Sequence, residues 1–408
     1  MPTTRGKRST FALTERVVLA AFTDASGHTR AELGQRTGLS RAAVSAAVGN
    51  LMASGDLVPA DASGSGPSRG RPSARYRRAD LLAPVVLVEL LHSAATKVSV
   101  IDAYGVTAGP LEAAAWSSTW TEWADTTHSA AAALLGGRSP RGSVLLAPFP
   151  VREGTGQPAV HAVERERHPG RLPPNPAWLE TDPRPALAAL LGCPPLVLND
   201  ANAAALGEAL FGAGRGYRAV VHVSVRDGVG AGLVFDGELF TGASGFAGEL
   251  AHAQVTEPGR FCFCGGRGCL ATETGGPGLA RPLEQLYERP VSFDEVTDDI
   301  ARGDPWVTRY FRDLGALIGK PLSSVVTILD PDCVVLDARL EAAAAPLIAG
   351  LIATLEQRCP AALVSRLRVL PGALPDAAAR GALAAANAAQ RQDRPGLPGA
   401  PPLRIPSQ

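Results

Sequence analysis

Over the first sixty residues, apolar positions recur at helical spacing. After Thr14, the residues Val17, Val18, Ala21 and Phe22 fall on one side of a helix, and after Ser40 the residues Val44, Val48 and Leu51 do the same. Between these two runs Thr29 opens "RAELGQRTG", with Glu32 placed to complete a capping box and Gly38 to stop the helix. The predicted order is helix, short helix, a turn through Gly38, and a longer helix. Beyond it, "DLVPA" and "SARYR" read as two short strands able to pair, which makes "SGSGPSRGRP" the tip between them.

From about residue 81 the pattern changes to apolar strands alternating with alanine-rich helices. "PVVLVELL", "KVSVIDAYG", "SVLLAPFP", "PLVLND", "AVVHVSV", "GAGLVFDGEL" and "CVVLDAR" predict strands; "ANAAALGEALFGAG" and "AAAAPLIAGLIATLEQR" predict helices. This is an α/β pattern with room for two sheets. A length of 408 residues with 46% hydrophobic composition supports more than one domain with sizeable cores. The expected division is 1–80, 81–388, and a tail at 389–408 whose proline-rich, weakly apolar composition predicts disorder.

Charge sharpens the picture of the first segment. The chain is neutral overall, yet residues 1–80 hold twelve Lys/Arg against six Asp/Glu. A basic head on an acidic body, in helix-turn-helix order, points to double-stranded DNA. In a winged helix-turn-helix, Ser40, Arg41, Ser45 and Asn50 lie along the recognition helix. "RGRP" in the wing is similar to an AT-hook core, so Arg69 and Arg71 are expected in the minor groove, with Arg75, Arg77 and Arg78 on phosphates. The start "MPTTRGKRSTFALTE" has no apolar run fit for a signal peptide, and "LLAPVVLVELL" is too short to span a bilayer. A cytoplasmic chain with no membrane partner is expected, and there clustered thiols hold metal more often than they form disulfides.

Four motifs follow one another in the body: "LNDANAAALGEALFGAG", "RDGVGAGLVFDGELFTGASGFAGELAH", "FCFCGGRGCL" and "LDPDCVVLD". With the head, they resemble the ROK family of repressors, open reading frames and sugar kinases over roughly residues 14–385. The resemblance implies a two-lobed actin/hexokinase-like fold with a sugar cleft between the lobes. Cys-x-Cys-x4-Cys preceded by a histidine offers three thiolates and one imidazole, a closed set suited to structural Zn²⁺ at His252, Cys262, Cys264 and Cys269. The glycines of that stretch let the loop fold back on itself. Cys193, Cys333 and Cys359 stand in apolar surroundings and read as core residues.

The resemblance implies sugar contacts from Asn199, Asp200, Glu249 and His252, with Glu273 standing in for a family glutamate whose place is taken by Ala271. Phe149 in "PFP" replaces a glycine that approaches the sugar in the family. The nucleotide elements are incomplete. Gly228, Gly230 and Gly232 of the second phosphate turn remain, but the first turn, Asp-x-Gly-Gly-Thr in the family, reads "ELLHSAATK". An adenosine-side glycine pair is replaced by Asp337 and Ala338. These changes predict no phosphoryl transfer and no catalytic residues. The reading is a sugar-responsive transcriptional regulator, a repressor of carbohydrate genes acting as a homodimer or homotetramer on a palindromic operator. The alternatives are an ATP-dependent sugar kinase and a constitutive DNA-binding protein with a degenerate effector domain. Asp200 also has a purely structural role open to it, as the cap of the helix it precedes.

Overall fold

The computed structural model describes residues 14, 15, 17–19, 21, 22, 27–53, 56–60, 74–78, 83–91, 93–102, 105–115, 117–152, 156, 157, 182–225, 228–262, 264–274 and 283–392. Within the head, residues 14, 15 and 17–19 are helical, followed by α1 (Arg30–Thr37) and α2 (Arg41–Ala53). The capping box is present: Thr29 accepts from the Glu32 N–H while the Glu32 carboxylate takes the Thr29 N–H, and Gly38 ends α1 in the left-handed region at φ 68°. Strands β1 (His28–Thr29), β2 (Leu57–Ala60) and β3 (Arg75–Arg78) form an antiparallel sheet in the order β1-β3-β2. Val18, Phe22, Leu33, Val44, Val48, Leu51, Leu57 and Tyr76 close a core of their own beneath it.

The body contains two five-stranded sheets built to one plan. The first, β6-β5-β4-β7-β8, uses β4 (Val85–Leu90), β5 (Thr96–Asp102), β6 (Gly105–Ala113), β7 (Gly142–Ala147) and β8 (Pro195–Asn199). The second, β11-β10-β9-β12-β13, uses β9 (Ala219–Val225), β10 (Val229–Phe235), β11 (Glu238–Leu239), β12 (Cys333–Leu336) and β13 (Arg368–Pro371). In each, three antiparallel strands are extended by two parallel ones on the far side of the first strand. Parallel strands need crossovers, supplied here by α3 (Trp120–Leu135) and α4 (Arg184–Leu191) in the first lobe. In the second lobe α6 (Phe293–Ala301), α7 (Pro305–Leu329) and α8 (Ala344–Arg358) do this work. Strands β1, β6 and β13, helices α3, α4, α6 and α7, and the last helix at Ala377–Gln392 have no counterpart among the predicted elements.

Glycines that look like helix breakers in α7 are packing devices. A methyl on Gly319 would stand 2.8 Å from Thr354 Cβ, and one on Gly315 would overlap the Leu347 carbonyl, so α7 and α8 approach backbone to backbone. The segment Ala338–Arg358, which contains α8, is apolar and long enough to cross a membrane by composition, but Leu347, Leu351 and Leu355 are buried in the second-lobe core. Two helices join the lobes. Helix α5 (Asp200–Phe211) leads from β8 into the second lobe, and α9 (Ala377–Gln392) returns to pack on the first. They cross closely, because Gly207 and Gly381 each face the other helix's backbone with no room for a side chain. The fully buried Glu208 carboxylate fixes this crossing by accepting N–H groups of Ala213, Ala373 and Leu374 at 2.7–2.9 Å.

Candidate functional site

The thiol-rich loop comes together as a unit. Residues Leu250–His252 form a single helical turn, and Gly265 and Gly268 adopt left-handed φ values of 90° and 63°, reversing the chain between the cysteines. The four ligand atoms of His252, Cys262, Cys264 and Cys269 lie within 4.8 Å of one another. Cys262 Sγ is 3.6 Å from His252 Nδ1, and Cys264 Sγ is 3.7 Å from Cys269 Sγ. A tetrahedron with metal–sulfur bonds of about 2.3 Å and metal–nitrogen bonds of about 2.0 Å has S···S edges near 3.8 Å and S···N edges near 3.5 Å. Those two edges match, and the remaining separations stay within 4.8 Å, so the four residues could hold a metal ion. All six cysteines are free thiols. Burial and the neighbouring thiols push Cys269 up to about 12 and raise Cys262, so metal must displace protons here. Burial lowers His252, keeping its imidazole neutral as a ligand must be.

His252 Nε2 faces away from the thiols, 3.9 Å from the Glu249 carboxylate. Burial, with the charge of Asp200 behind it, pushes Glu249 up to about 7. Asp200, at the start of α5, is thus near enough for its charge to act on Glu249, and both acids are half-buried. Glu89 on β4 joins this group. Burial raises it, Lys97 across the strand and Arg339 oppose the rise, and Asp200 adds to it. The sequence signal for Glu89 was its place at the head of the altered "ELLHSAATK" turn.

Two of the expected sugar ligands have other partners. Asn199 caps α5, its Oδ1 taking the Asn202 N–H at 3.0 Å, while its Nδ2 donates to the Phe149 carbonyl at 3.2 Å. Its amide is satisfied by the fold itself. Asp200 does not cap through that geometry; its Oδ1 takes the adjacent Ala201 N–H. The Glu273 carboxylate lies 3.7 Å from Arg260 and accepts from the Thr272 hydroxyl, on the outer side of the metal loop.

The segments that the resemblance assigns to the nucleotide are hydrogen-bonded within the chain. In the first turn the Ala94 N–H donates to the Leu91 carbonyl and the Leu91 N–H to the Ala95 carbonyl, with Ala94 at φ 69° where a glycine is easier to accommodate. Thr96 is fully buried and its hydroxyl receives the Trp123 indole N–H at 2.9 Å. Gly230 and Gly232 serve packing: methyls there would stand 3.1 Å from Ala201 Cβ and 2.8 Å from the Ala201 carbonyl oxygen, so they admit α5 against β10. Asp337 is buried at the end of β12. It holds Arg339 through a two-pronged ion pair, Nε to Oδ1 at 2.9 Å, and accepts from Ser224. Burial works against the Asp337 carboxylate, but Arg339 more than offsets it and leaves the acid lowered.

In the head, Ser40, Arg41 and Ser45 are exposed at the start of α2, with the Ser40 hydroxyl capping the helix by accepting from Ala43. Three of the expected DNA contacts have partners within the head, Asn50 and Arg75 on its surface and Arg78 in its interior. The Asn50 amide donates to Glu15 at 2.6 Å, Arg75 pairs with Glu32 at 2.8 Å, and Arg78 is buried with its guanidinium on the Leu19 carbonyl. Arg77 is half-buried, and Arg69 and Arg71 lie outside the described residues.

The ROK family profile matches residues 163–389, more than half of the chain. The chain belongs to the ROK family. Among its relatives, the xylose repressor of Bacillus spizizenii is 29% identical over 163 residues, 40% of this chain and 42% of that one. A glucokinase of Thermotoga maritima is 38% identical over 137 residues, 33% and 43% of the two chains. The matched stretches thus span less than half the length of these curated relatives. The solved structure of a ROK family transcriptional regulator, a homolog of the Escherichia coli Mlc protein, superposes with a TM-score of 0.70 over 92% of this chain and 96% of that one, at 18% identity. The fold is the two-lobed ROK, actin/hexokinase-like fold.

Proposed function

We propose that this protein is a sugar-responsive DNA-binding repressor with no kinase activity. Residues 1–80 act as a winged helix-turn-helix head and 81–388 as the effector-binding body. The observation that supports the reading is the combination of a helical head that has its own core with a body whose first turn is hydrogen-bonded on itself, while the charge of Asp200 still reaches Glu249, 3.9 Å from His252. ATP needs free backbone N–H groups for its phosphates. Here the Ala94 N–H and the Thr96 hydroxyl already have partners, and the Asp337–Arg339 ion pair stands at the adenosine side.

In this reading Arg41 and Ser45 meet base edges, Arg77 a phosphate, and the wing arginines Arg69 and Arg71 the minor groove. His252, Cys262, Cys264 and Cys269 hold a structural zinc ion. That ion has no open position for water and supplies rigidity, not chemistry. The protein works in the cytoplasm as a homo-oligomer that presents two heads to a palindromic site. Sugar bound by Asp200 and Glu249 shifts the lobes, and with them the heads, in proportion to its unequal affinity for the two arrangements.

The experiment has two arms. Selection from a random duplex library, followed by anisotropy titration, is expected to give a sequence bound at about 10⁻⁸ M or tighter. A thermal-shift panel of sugars is expected to yield one that weakens this binding at least tenfold. Incubation of the panel with ATP and Mg²⁺ is expected to give no sugar phosphate. Turnover abolished by Asp200→Asn would replace the repressor reading with the kinase one.

A further inference from the structure

Apart from the crossing helices α5 and α9, the lobes also meet where residues 241–248 approach Val151 and Arg152. Residues 241–248, "TGASGFAG", form a strap between β11 and Glu249. It is tied to its own lobe at Gly248, whose carbonyl accepts the Ala231 N–H at 3.0 Å, and it is closed on itself by the Ala247 N–H on the Thr241 carbonyl. At its tip Ala243, Ser244 and Phe246 are exposed while Gly245 is buried. The bare α-carbon of Gly245 lies against the other lobe. A methyl group there would overlap the Val151 carbonyl oxygen and stand 2.8 Å from its carbon and 3.3 Å from the Arg152 nitrogen. Gly245 also has φ +88°, so this position excludes a side chain on two separate grounds.

Both ends of this contact lead to the cleft. On the first lobe, Val151 is buried in the core, and two residues earlier the Phe149 carbonyl is held by Asn199, the cap of α5. On the second, the strap runs directly into Glu249 and then His252. A chain of contacts, through the Asn199 side chain, residues 149–151, the approach of Val151 to Gly245 and the strap itself, therefore joins the start of an interlobe helix to Glu249.

We propose that Gly245 is a positioning residue. By seating on Val151 it registers closure of the two lobes and holds Glu249 opposite Asp200, so that strap seating and effector binding are coupled. The coupling rests on the reading of this cleft as the effector site; the seating does not.

The test compares Gly245→Ala with Gly242→Ala in the full-length, zinc-loaded protein. Gly242 lies in the same strap at φ +73°, but the nearest atoms to a methyl there all belong to Ala247. Both variants carry the cost of a left-handed alanine, and only one disturbs the other lobe. Hydrogen exchange reads the amides of Ala247 in the strap and Arg152, bonded to the Gln157 carbonyl, in the first lobe. In the wild type the two are expected to open together, with the same denaturant dependence. Gly245→Ala is expected to speed both at least tenfold, and Gly242→Ala to leave Arg152 unchanged. A sugar found by thermal shift is expected to bind Gly245→Ala at least tenfold more weakly and Gly242→Ala within twofold of wild type. Equal effects of the two variants on Arg152, or independent opening of the two amides in the wild type, overturn the proposal. The wild-type measurement decides it even where Gly245→Ala fails to fold. Absence of any sugar binding by the wild type overturns the effector reading, and the coupling with it, while exchange still decides the seating.

Discussion

His222 gives the protein a calculable sensitivity to acid. It lies on β9, only 1% exposed, and its Nδ1 has no hydrogen-bond partner. Burial lowers its pKa from 6.5 to about 4; Arg339 adds to the shift and Asp337 opposes it. The folded chain thus refuses a proton that the unfolded chain accepts. Below pH 6.5 the unfolded state binds more protons, so stability falls as pH falls and is fully present only above 6.5. The shift corresponds in total to about 3 kcal/mol, reached near pH 4. Between pH 7.5 and 5.5 the same shift gives a loss on the order of 1 kcal/mol. The perturbation is His222→Gln, which keeps similar bulk and removes the titration. Guanidinium unfolding of the zinc-loaded protein, followed by tryptophan fluorescence at half-unit steps of pH, gives the difference between wild type and variant at each pH. A constant offset from repacking is irrelevant; the slope of the difference carries the result. Parallel stability curves over this window would refute the reasoning, because they would mean that His222 is solvated or paired when folded.

Three further outcomes are expected. Wild-type protein should carry about one zinc per chain by elemental analysis, and Cys264→Ser should lower both the content and the melting temperature, since metal binding is coupled to folding. Asp200→Ala and Glu249→Ala should each weaken the effector sugar by about 1–3 kcal/mol in calorimetry with little change in sugar-free DNA affinity; unchanged sugar binding in both would move the ligand elsewhere. Arg77→Ala should reduce the salt slope of operator binding by about one unit, as loss of a phosphate contact does. Arg78→Ala should leave that slope unchanged and destabilise the head by about 1–3 kcal/mol, through the stranded Leu19 carbonyl.

The sequence by itself determined what depends on neighbours along the chain. The capping box at Thr29 and Glu32 needs only a three-residue spacing, and the thiols of Cys262, Cys264 and Cys269 are brought together by the glycines between them. Most strands were readable for the same reason, as β-branched runs between turns. Tertiary structure decided whatever depends on which surface comes to lie opposite a residue. Gly230 and Gly232 have the same chemistry in a phosphate turn as under a packed helix, and only the approach of α5 selects the second role. Asn199 suits a sugar hydroxyl as well as a helix cap, and the carbonyl of Phe149, fifty residues away, takes its amide. Arg75 and Arg78 were indistinguishable from Arg77 in "RYRR"; folding turned Arg75 to Glu32 and buried Arg78 at Leu19, separating them by partners the sequence does not place. Helix α7 escaped notice because Gly315, Gly319 and Pro321 read as breakers until α8 is laid against them. Asp200 and Glu249 follow the same rule, since no local pattern joins them and the charge of one reaches the other only because two lobes fold against each other.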